Sequence, residues 1–82
     1  MRVDIYRRQE PNDRLSYLAV TAGRPLPDEV VSAQWQVKAK ALDLDESDPA
    51  AFASYGIHHV ADQFRAKGYA ITDLAHQPPV TG

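Results

Sequence analysis

Apolar and polar residues alternate from Arg2 to Arg8, with Val3 and Ile5 on one side and Arg2, Asp4, Tyr6 and Arg8 on the other. A period of two is that of a strand, because successive side chains leave opposite faces of a pleated backbone. Glu10-Pro11-Asn12-Asp13-Arg14 breaks the pattern with turn-forming residues. Leu15 to Thr21, rich in aliphatic and aromatic residues, reads as the return strand of a hairpin. A turn centred on Asn12-Asp13 sets Ile5 opposite Val20, Tyr6 opposite Ala19, Arg7 opposite Leu18 and Arg8 opposite Tyr17. That register sends Val3, Ile5, Leu18 and Val20 inward and Tyr6, Arg8 and Tyr17 outward, and a slip of one residue would mix the two sets.

Gly23, Pro25 and Pro27 end the second strand and force an irregular link, in which Asp28 can cap a short helical turn reaching about Val31. In residues 34–42, Trp35, Val37, Ala39 and Ala41 alternate with Gln34, Gln36, Lys38 and Lys40, which predicts a strand. A helical stripe of Val31, Trp35, Ala39 and Leu42 competes with it, but a hairpin and one later strand need a further neighbour to form a stable sheet. Asp43 to Asp48 is an acidic loop. Asp48 can cap a helical turn that opens with Pro49, and Ser54 is the alternative cap for the main helix. Ile57, Val60, Ala61 and Phe64 then fall on one helical stripe, Lys67 sits in the last turn, and Gly68 supplies the left-handed stop. Tyr69 to Leu74 alternates again as a final strand, and residues 76–82, with two prolines and no pattern, read as a disordered tail.

These elements combine into an α+β fold, strand-strand-short helical turn-strand-helix-strand. The expected form is a mostly antiparallel four-stranded sheet with the Ile57–Lys67 helix on one face. Eighty-two residues support one domain, here 1–75, since a chain this size buries only about 60% of its unfolded surface. Ile57, Val60 and Phe64 are expected to pack on Val3, Ile5, Leu18, Val20, Val37 and Ile71, with Trp35 at the rim. The other face of the sheet is left open.

Charge and composition narrow the function classes. With no cysteine, disulfides and thiolate metal sites are excluded, and a small domain without staples fits a reducing, cytoplasmic setting. The first ten residues are too charged for a signal peptide, and no apolar run approaches the roughly 20 residues of a membrane span. Residues 1–42 hold seven Lys and Arg against five Asp and Glu, whereas residues 43–82 hold two against six. Such a dipole can orient self-association, while the net charge of −2 argues against strong nonspecific nucleic-acid binding. The segments MRVDIYRR, LSYLAV, WQVKAKALDLD and KGYAIT resemble those of a family of small bacterial proteins, mainly proteobacterial, of unknown function. The resemblance implies a single-domain cytosolic protein and carries over no activity, cofactor or site residue.

Catalytic patterns are absent: there is no G-x-S-x-G turn, no thiol nucleophile and no phosphate-binding glycine loop. His58 and Asp62, at i and i+4 of the expected helix, offer two metal ligands but lack a third, and His76 lies in the expected tail. Asp43, Asp45, Glu46 and Asp48 lack the glycine and final glutamate of an EF-hand loop and read as a solvated acidic loop. No cofactor is expected. What remains is the open face, where Tyr6, Arg8, Tyr17, Gln36, Lys38 and Lys40, with Arg2, would stand together. Tyr and Arg favour protein interfaces, so the leading expectation is a non-enzymatic domain working through protein contacts, self-association included. The alternative is nucleic-acid binding, with the tyrosines stacking on bases and the cations meeting phosphates. An enzyme or metal protein ranks third.

Overall fold

In the computed structural model, which describes residues 1–30 and 35–80, the four expected strands form one antiparallel sheet. They are β1 (Arg2–Glu10), β2 (Arg14–Thr21), β3 (Gln36–Asp43) and β4 (Tyr69–Ile71), in the spatial order β3-β1-β2-β4. Two helices, α1 (Pro49–Ala53) and α2 (Val60–Lys67), lie between β3 and β4 in the chain. Asp48 caps α1 by accepting from the Ala50 N–H, and Pro49 occupies its first turn, as its sequence demands. Gly68 ends α2 at φ 83°, its N–H reaching the Phe64 carbonyl. The predicted helix over Ile57–Lys67 begins three residues late. His59 stands at its N-cap with a left-handed φ of 54°, and Ile57 is buried from the preceding loop. The short turn expected after Asp28 covers Asp28–Val30, and Val31 and Gln34 lie outside the described residues.

The hairpin register differs from the expected one by one residue. Ile5 pairs with Ala19, Tyr6 with Leu18, Arg7 with Tyr17 and Arg8 with Ser16. The cause is the turn: the loop has three residues, Pro11 to Asp13, with Asn12 (φ 65°) and Asp13 (φ 56°) both left-handed, rather than two. Asn and Asp tolerate that conformation better than other side-chain-bearing residues, and three-residue hairpin loops use it. One residue of slip moves every β2 side chain to the other face. Tyr17 and Ala19, not Leu18 and Val20, therefore share a face with Val3 and Ile5.

This re-sorting gives the sheet two covered faces instead of one. On the helix side, Val3, Ile5, Tyr17, Ala19 and Ala70 pack with Phe52, Ile57 and Val60, and Phe64 joins only at the margin. On the other side, Leu18, Val20 and Tyr69 pack with Trp35, and Tyr6, Leu26, Val30 and Ile71 fill in around them. The proline-rich link that carries Leu26 and Val30 thus roofs the face expected to be open. Val37, expected in the core, is 58% exposed.

Strand β3 supplies the second departure. Its pairing with β1 shifts register twice, between Tyr6–Val37 and Ile5–Ala39, and again before Val3–Leu42. Each bulge inserts an extra residue and re-aims the side chains beyond it, so the strict alternation of residues 34–42 does not map onto two fixed faces. Ala41, in the second bulge, has φ 53°. Asp4, 1% exposed, accepts from the Ala41 N–H at 2.8 Å and the Gly23 N–H at 3.0 Å, and Lys40 Nζ lies 3.1 Å away. One carboxylate thereby ties β1 to the end of β2 and to the bulge of β3.

The helix layer is fixed by two polar side chains. The Gln63 amide donates to the carbonyls of His58 and Ile71 and accepts from the Ile71 N–H, joining α2 to β4. Buried Thr72 extends the β2–β4 pairing: its hydroxyl accepts from the Tyr17 N–H and donates to the Tyr55 carbonyl beyond α1. Thr72→Val keeps the shape but leaves both partners unsatisfied in a dry site. Chemical denaturation is expected to show a loss of about 1–3 kcal/mol.

Residues 76–82 were expected as a disordered tail. They are described as far as Val80, and Leu74–His76 forms a 3-10 turn. Beyond it, Pro78 accepts from the Leu15 N–H and Val80 donates to the Asp13 carbonyl, laying this segment along the hairpin tip. No helix among the described residues is long and apolar enough to cross a membrane.

Candidate functional site

Along the helix-side face of β1 the order is Val3, Ile5, Arg7, Gln9. The first two are fully buried beneath the helices, while Arg7 is half-buried and Gln9 exposed, because the helix layer stops at Ser54. Beyond that edge a cleft of about 580 Å³ opens over the sheet. Leu15 and Tyr17 of β2 form part of its floor, Gln36 and Lys38 of β3 stand on one side, and Pro78 to Val80 wall the other. Arg7 lies directly between its two cross-strand neighbours, Tyr17 on β2 and Gln36 on β3.

The electrostatics of this cleft are one-sided. Among the described residues its lining carries two cations, Arg7 and Lys38, and no carboxylate, imidazole or thiol. Neither cation has a hydrogen-bond or ion-pair partner among the described residues. The amides of Gln9 and Gln36 add donors and acceptors beside them.

The six residues expected to form one face divide between two. Gln36 and Lys38 line the cleft, and so does Tyr17, though its ring is 8% exposed and packs against Tyr55 at 5.0 Å between centroids. Tyr6, Arg8 and Lys40 lie on the opposite side and are already partnered. The Arg8 guanidinium sits 4.5 Å over the Trp35 ring and bonds Glu10 at 2.8 Å, while Lys40 pairs with Asp4 and stands 5.8 Å over the Tyr6 ring. The hydrogen bond from Lys40 to Asp4 raises the Lys40 pKa. Arg7 and Gln9 were missed. The signal for them was a cation two residues after Ile5 on the same face, which marks where that face leaves the core.

The histidines also sit differently from expectation. His58 precedes α2, so it does not share a helical face with Asp62, which pairs with Arg65 at 3.1 Å. His58 instead stacks on His76 at 4.0 Å between ring centroids, and His76 Nδ1 lies 2.6 Å from Asp73. That hydrogen bond holds the Asp73 carboxyl below the usual carboxylate range. His58, His59, Glu46 and Asp62 border a second hollow of about 360 Å³. No group of three or more side chains able to hold a metal ion occurs among the described residues.

No curated protein matches this chain, and no solved structure does. One family model does, described as a family of unknown function (DUF6139), and it spans residues 1–78. The match takes in all four strands, both helices and both cations of the cleft, and by it the chain belongs to the DUF6139 family.

Proposed function

We propose that this protein is a small non-enzymatic cytoplasmic domain that works through contacts with another protein, using the Arg7–Lys38 cleft as its contact site. The observation that carries the reading is the pair of cations standing unpartnered, among the described residues, in the 580 Å³ cleft. Two other cations of the sheet, Lys40 and Arg8, are neutralised internally by Asp4 and Glu10. Two cations left without anions form a recognition feature that contributes nothing to the fold. Among the described residues the lining holds no carboxylate, imidazole or thiol, the commonest general bases, which favours binding over catalysis. The second face of the sheet is roofed and does not offer the open surface expected to drive self-association.

The test compares wild type with Arg7→Ser/Lys38→Ser in affinity capture from the native cell, alongside sedimentation of the pure protein. Both side chains reach solvent, so the double variant is expected to keep its circular dichroism spectrum and thermal midpoint. A partner retained by wild type and lost by the variant supports the reading, as does self-association that the variant abolishes. A partner held equally by both proteins moves the contact site elsewhere and overturns it. Strict monomers with no partner overturn it as well.

A further inference from the structure

We propose that the cleft takes an extended acidic segment of a partner protein, recognised as two carboxylates separated by one residue. This rests on the reading of the cleft as a protein contact site and adds the chemistry of what enters it.

The spacing of the cations leads to this. Arg7 is paired with Gln36, and Lys38 lies two positions further along β3, at the first bulge, so that the two cations line the same cleft from adjacent strands. In a regular ladder, residues diagonal to one another on adjacent strands have Cα atoms about 7–8 Å apart, and the bulge displaces Lys38 from that position by the one extra residue it inserts. In an extended peptide, residues i and i+2 point the same way and are about 7 Å apart. Two aspartates or glutamates in that relation can therefore meet both cations at once, with Arg7 able to grip its carboxylate through two parallel N–H donors. Gln9 and Gln36 flank the pair and can each donate to and accept from the peptide backbone.

A single nucleic-acid strand is the competing polyanion, and the make-up of the cleft weighs against it. Polyanion binders commonly neutralise 6–10 phosphates, roughly, where this cleft offers two cations. Stacking needs a free aromatic face, and the Tyr17 ring is spent on Tyr55. The acidic second half of the chain, six Asp and Glu against two Lys and Arg, would repel a long polyanion.

The experiment is a backbone NMR titration of the whole chain at low salt. The ligand is a capped eight-residue peptide of glycine, serine and threonine bearing two aspartates separated by one residue. Shifts are expected at Arg7, Gln9, Gln36 and Lys38, with a dissociation constant on the order of 1 mM or tighter. Replacing both aspartates by asparagine, or making them adjacent, is expected to weaken binding about tenfold, and Arg7→Gln to do the same. Absence of shifts up to several millimolar peptide overturns the inference, as does equal binding of the asparagine peptide. An eight-residue oligothymidine that binds tenfold more tightly overturns it in favour of nucleic acid, and inorganic phosphate matching the peptide reduces the site to a simple anion hole. If the peptide fails while Arg7→Ser/Lys38→Ser still loses a cellular partner, the inference falls and the contact site stands. If both fail, both fall.

Discussion

Asp4→Ala is expected to lower the stability of the domain by about 3 kcal/mol, which for a chain this size corresponds to a drop of roughly 15 °C or more in thermal midpoint. The carboxylate is buried, and it is the shared acceptor for the Ala41 N–H of β3 and the Gly23 N–H in the turn that follows β2. Truncation leaves both donors unsatisfied and removes what holds Ala41 in its left-handed bulge. Asp4→Asn should recover part of the loss, since one side-chain oxygen can still accept, whereas Lys40→Met should cost much less because the Lys40 head is half-exposed. The Ala41 and Gly23 N–H bonds, followed by Lys40, outweigh the effect of burial and hold the Asp4 pKa below its ordinary value. A depressed carboxylate contributes stability above its unfolded pKa, near 3.9, and loses it as pH falls through the lower folded value. Wild type should therefore destabilise steeply below about pH 4, and the difference from Asp4→Asn should shrink there. Urea denaturation at pH 7 and pH 3 checks both effects. A loss under 0.5 kcal/mol for Asp4→Ala at pH 7 would remove Asp4 from its assigned role.

Gly56→Ala is expected to be at least as damaging, at about 3 kcal/mol or more. Gly56 has a left-handed φ of 66°, and a methyl group on it would run into the backbone carbonyl oxygen of His76 and come within 3.1 Å of the Thr72 Cγ2. The backbone cannot yield as a flexible side chain would. Gly68, at φ 83°, has open space around the same position, so Gly68→Ala carries only the conformational cost of about 1–2 kcal/mol. The difference between the two variants isolates the clash. Because His76 precedes the segment that walls the cleft, Gly56→Ala should also loosen that segment, read as faster amide exchange at Leu15 and Val80, whose N–H groups join it to the hairpin tip. Equal losses for the two glycine variants would contradict the close approach.

The order and type of every strand were legible in the sequence, because period-two patterns and turn residues act locally. Gly68 and the Asp48-Pro49 cap were legible for the same reason. The hairpin register was not, since Pro11-Asn12-Asp13 is compatible with a two- or three-residue loop, and that single choice decided the face of Tyr17 and Leu18. Nor could the alternation in residues 34–42 disclose its bulges: Lys38, Lys40 and Ala41 look regular in the sequence and become irregular only against β1. The role of Asp4 needed partners 19 and 37 residues away. The cleft was half legible, Gln36 and Lys38 having been singled out for a different face. Arg7 was obscured by a register that set it opposite Leu18.

The two bulges of β3 also affect how the protein behaves at high concentration. This strand is an outer edge of the sheet, eight residues long and largely exposed, the kind of margin on which chains add to one another and aggregate. Broken in two places, and with Lys38 and Lys40 at the breaks, it cannot present a flat ladder to a second copy. The irregularity that confuses the sequence pattern is thus a safeguard of solubility. Repairing it, by deleting one residue from each bulge to restore a regular edge, should make the protein precipitate before it makes it more stable.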